Sequence, residues 1–291
     1  MLRSMKGLKG FAMEATDGSI GHVKDVYFDD EQWVVRYLVV DTGAWLSGRG
    51  VLISPFAVGT PDWAARVLPV SISKEQVRNS PDLESAPPAS RQLEMQYLRH
   101  YGYPYYWGGA GLWGGYAYPS AMLADVGYGG CFVDYLHGQG TRRPAGASAQ
   151  SIPPGDPHMR SCQALLTYHI EATDGDIGHV GGLLFDEETW AVRYLVVNTS
   201  NWWLGHEVLV APQWIREVRW LDSTIAVDLT RQSVKDAPRY HSALALSRDE
   251  EADLYRHHAR PGYWAEEVRM GNPEFGLGGR PVPKDAIHKY T

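Results

Sequence analysis

Phe28 to Thr42, FDDEQWVVRYLVVDT, and Phe185 to Thr199, FDEETWAVRYLVVNT, are one segment written twice, 157 residues apart. Within it, Trp33 to Asp41 is a run of β-branched and aromatic residues with apolar groups on both faces of any strand it forms. Such a strand needs cover on two sides. One face suits the interior of a small barrel; the other, carrying Val34, Arg36, Leu38 and Val40 or the alternate set, needs a helix or a second barrel against it.

The repeat extends outward from this segment without a slip. EATDGSIGHV (Glu14–Val23) returns as EATDGDIGHV (Glu171–Val180), Trp45 falls on Trp202, Pro55 on Pro212, Trp63 on Trp220 and Tyr106-Trp107 on Tyr263-Trp264. An ungapped match of that length means one fold used twice. In the first copy, Lys9 to Ala15 and Ser19 to Phe28 read as strands joined by the turn Thr16-Asp17-Gly18. Gly21 stands where a strand bends or a backbone approaches closely. Val51 to Ile53 and Ala64 to Ile72 add further strands, and the set predicts a small closed or nearly closed barrel. Ser73 and Thr230 are N-caps for short helices ended by Pro81 and Pro238, and a second helix starts near Ser90 and Ser247.

The expected organisation is therefore mainly β. It comprises a first module with its helical extension over residues 1–107, a Gly/aromatic-rich arm and Pro/Ala/Gly linker over 108–161, a second module over 162–264, and a C-terminal tail over 265–291.

Composition narrows the function. The chain has 291 residues, 44% hydrophobic and 21% charged, enough to bury sizeable cores. Its 27 Lys and Arg against 34 Asp and Glu give a net charge of -7, and no basic run forms the positive face that nucleic acid requires. Cys131 and Cys162 lack metal-ligand spacing and read as two free thiols, no stretch reaches the ~20 apolar residues of a membrane span, and no secretory leader is visible. A cytoplasmic location is the expectation.

The runs D-G-x-I-G-H-V and F-D-x-E-x-W-x-V-R-Y-L-V-V, followed by a Trp and V-L-[IV]-x-P, resemble the PRC-barrel family, over Leu8 to about Trp107 and again over Leu165 to about Trp264. That family takes in the cytoplasmic domain of the photosynthetic reaction-centre H subunit, the C-terminal domain of the ribosome maturation factor and bacterial stand-alone proteins. The resemblance implies two tandem PRC-type β-barrels, a scaffolding role and no shared catalytic residue.

The residues support the same reading. The repeated motif Asp17, Gly18, Gly21, His22 and Asp174, Gly175, Gly178, His179 has no Ser or Cys nucleophile recurring beside it, so His22 and His179 read as residues of fold or contact rather than catalysis. The acidic turns Asp29-Asp30-Glu31 and Asp186-Glu187-Glu188 lack calcium-loop spacing and read as solvated turns. His241 and the pair His257-His258 do not make a metal site either, since adjacent helical residues diverge. Arg36 and Arg193, inside apolar strands, need partners: Asp41, Asn198 or a carboxylate across an interface. Tyr101 to Tyr118 is aromatic and glycine-rich without interleaved Lys or Arg, which favours a packing arm over base stacking. Interface candidates are Arg36, Arg193, Trp45, Trp202, Tyr105, Tyr106, Trp107, Tyr263 and Trp264.

The expected function is non-catalytic assembly through protein contacts of the barrels and arms, as a homo-oligomer or a subunit of a larger complex, with no metal and no cofactor. The alternative is a stress-related module binding a small ligand or metal in a groove between the barrels.

Overall fold

The computed structural model describes residues 1–81, 91–125, 158–199, 206–242 and 245–265. The first half runs β1 (Leu2–Ser4), α1 (Met5–Leu8), β2 (Ala12–Ala15), β3 (Gly18–Asp29), β4 (Val34–Asp41), β5 (Gly50–Ile53), β6 (Val67–Pro69), α2 (Lys74–Arg78), α3 (Arg91–Tyr101) and α4 (Pro119–Asp125). The second runs β7 (Met159–Ser161), α5 (Cys162–Leu165), β8 (His169–Ala172), β9 (Gly175–Asp186), β10 (Val192–Asn198), β11 (Glu207–Val210), β12 (Ile215–Arg219), β13 (Thr224–Val227), α6 (Arg231–Lys235) and α7 (Arg248–His257). The protein is mainly β, in two sheets ordered β5-β4-β3-β2-β6 and β11-β10-β9-β8-β13-β12.

The 12-residue strands β3 and β9 organise each half. The start of β3 pairs with β2 and its remainder with β4, with register shifts between Val23 and Asp25 and between Tyr27 and Phe28 that let one strand turn a corner. Gly21, at φ 134°, makes the corner possible: a Cβ there would overlap the Asp41 carbonyl. Gly178 stands in the same relation to Asn198. The Asp-Gly turns also tie sheet to helix, because Asp17 accepts from the Lys74 backbone N–H at 2.7 Å and Asp174 from that of Arg231 at 2.7 Å.

The barrels expected from strand spacing do not close. No ladder joins β5 to β6 or β11 to β12, among the described residues. After β5 and β11 the chain enters 3-10 turns at Pro55–Ala57 and Pro212–Trp214, where proline offers no N–H to a ladder. In the first half the next stretch touches the sheet only through the bridges Val58↔Val70 and Asp62↔Val67, with Gly59 and Pro61 between them; in the second the same stretch is the full strand β12. Strand boundaries also move: the strand expected over Ala64 to Ile72 spans only Val67–Pro69. The strand expected from Lys9 begins at Ala12 because Met5–Leu8 is helical, and Trp33, at φ 56°, belongs to the turn before β4.

The larger departure concerns chain order. β1 pairs with β9 of the second half (Arg3↔Phe185), and β7, expected in the linker, pairs with β3 of the first (Phe28↔Arg160). Each half therefore lends its leading strand to the other's sheet. Where the halves meet, Val35 N–H donates to Trp190 O at 2.8 Å and Val192 N–H to Trp33 O at 2.7 Å, two equivalent bonds across a pseudo-twofold axis. All of β4 but Asp41 is buried, as is β10 from Val192 to Val197. The two-faced strands are thus covered within one chain. Among the described residues only Met1, Tyr118 and Leu221 are large, apolar and exposed.

Candidate functional site

The most densely constructed region lies where the aromatic arm crosses β4 at the seam. Arg36, at the centre of β4, has a side chain with no exposed surface. Its Nη2 donates to Gln32 Oε1 at 2.6 Å and Asp29 Oδ2 at 3.3 Å, and its Nη1 donates to Leu112 O at 2.7 Å. The Tyr106 ring lies 3.8 Å from the guanidinium and that of Trp113 4.8 Å from it, as expected of a cation that has given up water for aromatic faces. Asp41 plays no part: it is exposed, and its carboxylate accepts from the Gly43 N–H. Register explains the correction, since β4 alternates Arg36 with Asp41 on opposite faces while Asp29 sits across the β3–β4 turn.

The arm is held by α3 as well. Tyr106 donates to Glu94 through its hydroxyl, and Arg91 Nη1 reaches both, at 2.9 Å from the Tyr106 hydroxyl and 3.4 Å from Glu94. Glu94 is buried, and burial pushes its carboxyl up to about 7 against the downward pull of Arg91 and Tyr106. Trp113 continues the arm across the seam, packing on Phe56 and donating from Nε1 to Thr189 O of the second half at 2.8 Å. The aromatic arm therefore packs on its own half and reaches the other.

The second half repeats the arrangement in part. Arg193 donates to Thr189 Oγ1 at 3.3 Å, lies 3.7 Å from Asp186, and stacks 4.0 Å from the Tyr263 ring. Asn198, the partner considered for it, is half-buried at the other end of β10. Glu251 accepts from Tyr194 at 2.8 Å, Tyr263 at 2.9 Å and Arg248 at 3.0 Å.

The acidic turns are not simply solvated. Glu187 pairs with Arg3 at 3.0 Å and accepts from Trp63 Nε1 at 3.0 Å, while Asp30 pairs with Arg160 at 2.6 Å. Both ion pairs join one half to the other's leading strand, and Asp29 is buried beneath Arg36.

Other sequence candidates are scattered. Trp45 is half-buried and donates to Ile20 O at 2.9 Å; Trp202 lies outside the described residues. Tyr105 and Trp107 stack on each other with centroids 4.8 Å apart, and Trp264 packs on Tyr255 and Arg248. His22 is exposed on β3 and His179 half-buried on β9. His100 and His257 donate to the Gln76 and Ser233 carbonyls, tying each long helix to the short one before it. Cys162 is a buried free thiol, and Cys131 lies outside the described residues. Among the described residues no three His, Cys, Asp or Glu side chains converge as a metal site. A cleft of about 140 Å³ lies between Leu209, Tyr240 and Leu254.

Sequence reasoning missed Glu94, Glu251, Tyr37 and the exchanged strands. A signal for the glutamates was present: Arg91-x-x-Glu94 and Arg248-x-x-Glu251 recur at the repeat offset, each with a tyrosine at the same distance downstream.

Residues 12–70, from β2 through β6, match the family model of the PRC-barrel domain. The first half carries a PRC-barrel domain. The matched segment contains Arg36 and the corner glycine, while the exchanged strand β1, α3 and the aromatic arm lie outside it. No curated protein matches the chain. Among the described residues, no helix is long and apolar enough to cross a membrane.

Proposed function

We propose that the chain is a non-catalytic assembly protein in which two PRC-type barrels are fused into an internal dimer. The PRC-barrel match, in a domain type that points to protein interaction, carries this reading. The second half supports it by repeating the order of the first half's main strands and helices, with a leading strand exchanged from each side. Cover that a single-barrel protein would take from a second copy is supplied here within the chain. The reading therefore favours a subunit of a larger cytoplasmic complex over a homo-oligomer built on the β4 face. Docking then falls to the arms the sequence offers outside the paired halves, residues 126–157 and the tail 266–291.

Affinity isolation of the native protein, followed by cross-linking and mass spectrometry, tests this. A stoichiometric protein partner cross-linked through 126–157 or 266–291, and lost when those residues are deleted, is the expected result. Partner retention by a chain lacking both segments, or turnover of a metabolite by the purified protein, contradicts it.

A further inference from the structure

Tyr37 and Tyr194 occupy equivalent positions on β4 and β10, yet only one is satisfied. Tyr194 donates to Glu251 at 2.8 Å, whereas the Tyr37 hydroxyl is buried and finds no hydrogen-bond partner among the described residues. Glu94 thus receives one tyrosine where Glu251 receives two. Glu94 carries Tyr106 on Oε2 and Arg91 on Oε1 at 3.4 Å, and an ionised carboxylate in a dry site calls for further donors; a protonated carboxyl needs fewer and supplies one of its own. The groups facing Glu94 are Arg91 on its own helix, Tyr106 on the arm, Arg36 and Tyr37 on β4, and Asp29 on β3. Met159 of β7 closes the site, its sulfur 3.9 Å from the Tyr106 hydroxyl.

We propose that Glu94 is a proton-binding site that couples pH to the seating of the aromatic arm, residues 103–116, over Arg36 and against the second half. The arm supplies much of the cover that keeps Glu94 dry, through Tyr106 and the packing of Trp113 on it. Lifting the arm hydrates the carboxyl and lets it ionise as an ordinary glutamate; seating it favours the protonated form. Because seating raises the proton affinity, protons stabilise the seated arm. That stabilisation is complete below pH ~4.5 and is lost as pH climbs to about 7. Loss of the proton draws the idle Tyr37 hydroxyl toward the carboxylate, the role Tyr194 already fills.

Hydrogen exchange of the full chain, read on peptides covering 103–118 and corrected for intrinsic rates, tests the coupling. With Glu94 held near 7 in the seated state, protection falls roughly tenfold between pH 6 and 8 in the native protein and stays level in Glu94→Gln. Level protection in the native protein, or an undiminished fall in Glu94→Gln, overturns the proposal. If Glu94→Gln does not fold, the carboxyl ¹³C shift of Glu94 in the native protein decides: a midpoint near 7 supports the site and one near 4.5 overturns it. Tyr37→Phe raises that midpoint; an unmoved midpoint removes Tyr37 from the mechanism.

Discussion

Arg36 and Arg193 sit at the same register of the same strand in two copies of one sheet, and their surroundings differ by degree. Around Arg36 the cation is sealed: its side chain is fully buried, Asp29 is 4% exposed, and the arm closes the top through Leu112 and Trp113. Around Arg193 the ion pair is looser, at 3.7 Å to an Asp186 that is 18% exposed. The glutamates differ in the opposite sense, Glu251 being the better supplied with donors. Duplication has kept the residues and let their environments diverge, so each half serves as the control for the other.

The largest effect should come from breaking the sealed pair. Arg36→Met leaves Asp29 buried without its cation and is expected to cost about 4 kcal/mol in urea unfolding, against about 2 kcal/mol for Arg193→Met, whose carboxylate can reach water. Equal costs would show that the two environments are not distinct in energy. Next comes pH. Glu94 is held near 7, above its ordinary 4.5, so unfolding stability falls as pH rises from about 4.5 to about 7 and is flat above, by on the order of 3 kcal/mol in total. Glu94→Gln abolishes this component, and an unchanged slope would break the assignment.

Smaller is the tyrosine contrast. Tyr194→Phe removes a bond to Glu251 and is expected to cost about 1.5 kcal/mol, while Tyr37→Phe removes an unsatisfied hydroxyl and lies within about 0.5 kcal/mol of the native protein at pH 5. Smallest and symmetric is the turn-to-helix tie. Asp17→Ala and Asp174→Ala each lose a 2.7 Å bond to a helix N-terminus and should cost about 1 kcal/mol alike, read from thermal midpoints.

Much of this was legible in the sequence because it was local or repeated. The Asp-Gly turns, the corner glycines and the helix caps at Ser73, Thr230 and Ser247 are short-range chemistry, and the ungapped repeat makes each visible twice. The two-faced β4 correctly demanded cover. What covered it was not legible: β1 and β7 are three residues each, carry no periodicity, and derive their strand character from pairing with the far half. Barrel closure was overread because strand count does not reveal that Pro55 and Pro212 turn the chain away from the ladder. Asp29 was read as solvated because a run of acids looks like a surface turn, and only the fold shows Arg36 lying over its first member.

The proposed internal dimer rests on the exchange of leading strands, and sedimentation of residues 1–125 alone tests it most directly. Those residues retain β1 and the bare β3 edge that β7 normally fills, so they should form a two-chain species in which β1 of each copy pairs with β3 of the other. A folded, monodisperse single-chain species across the same concentrations would contradict it.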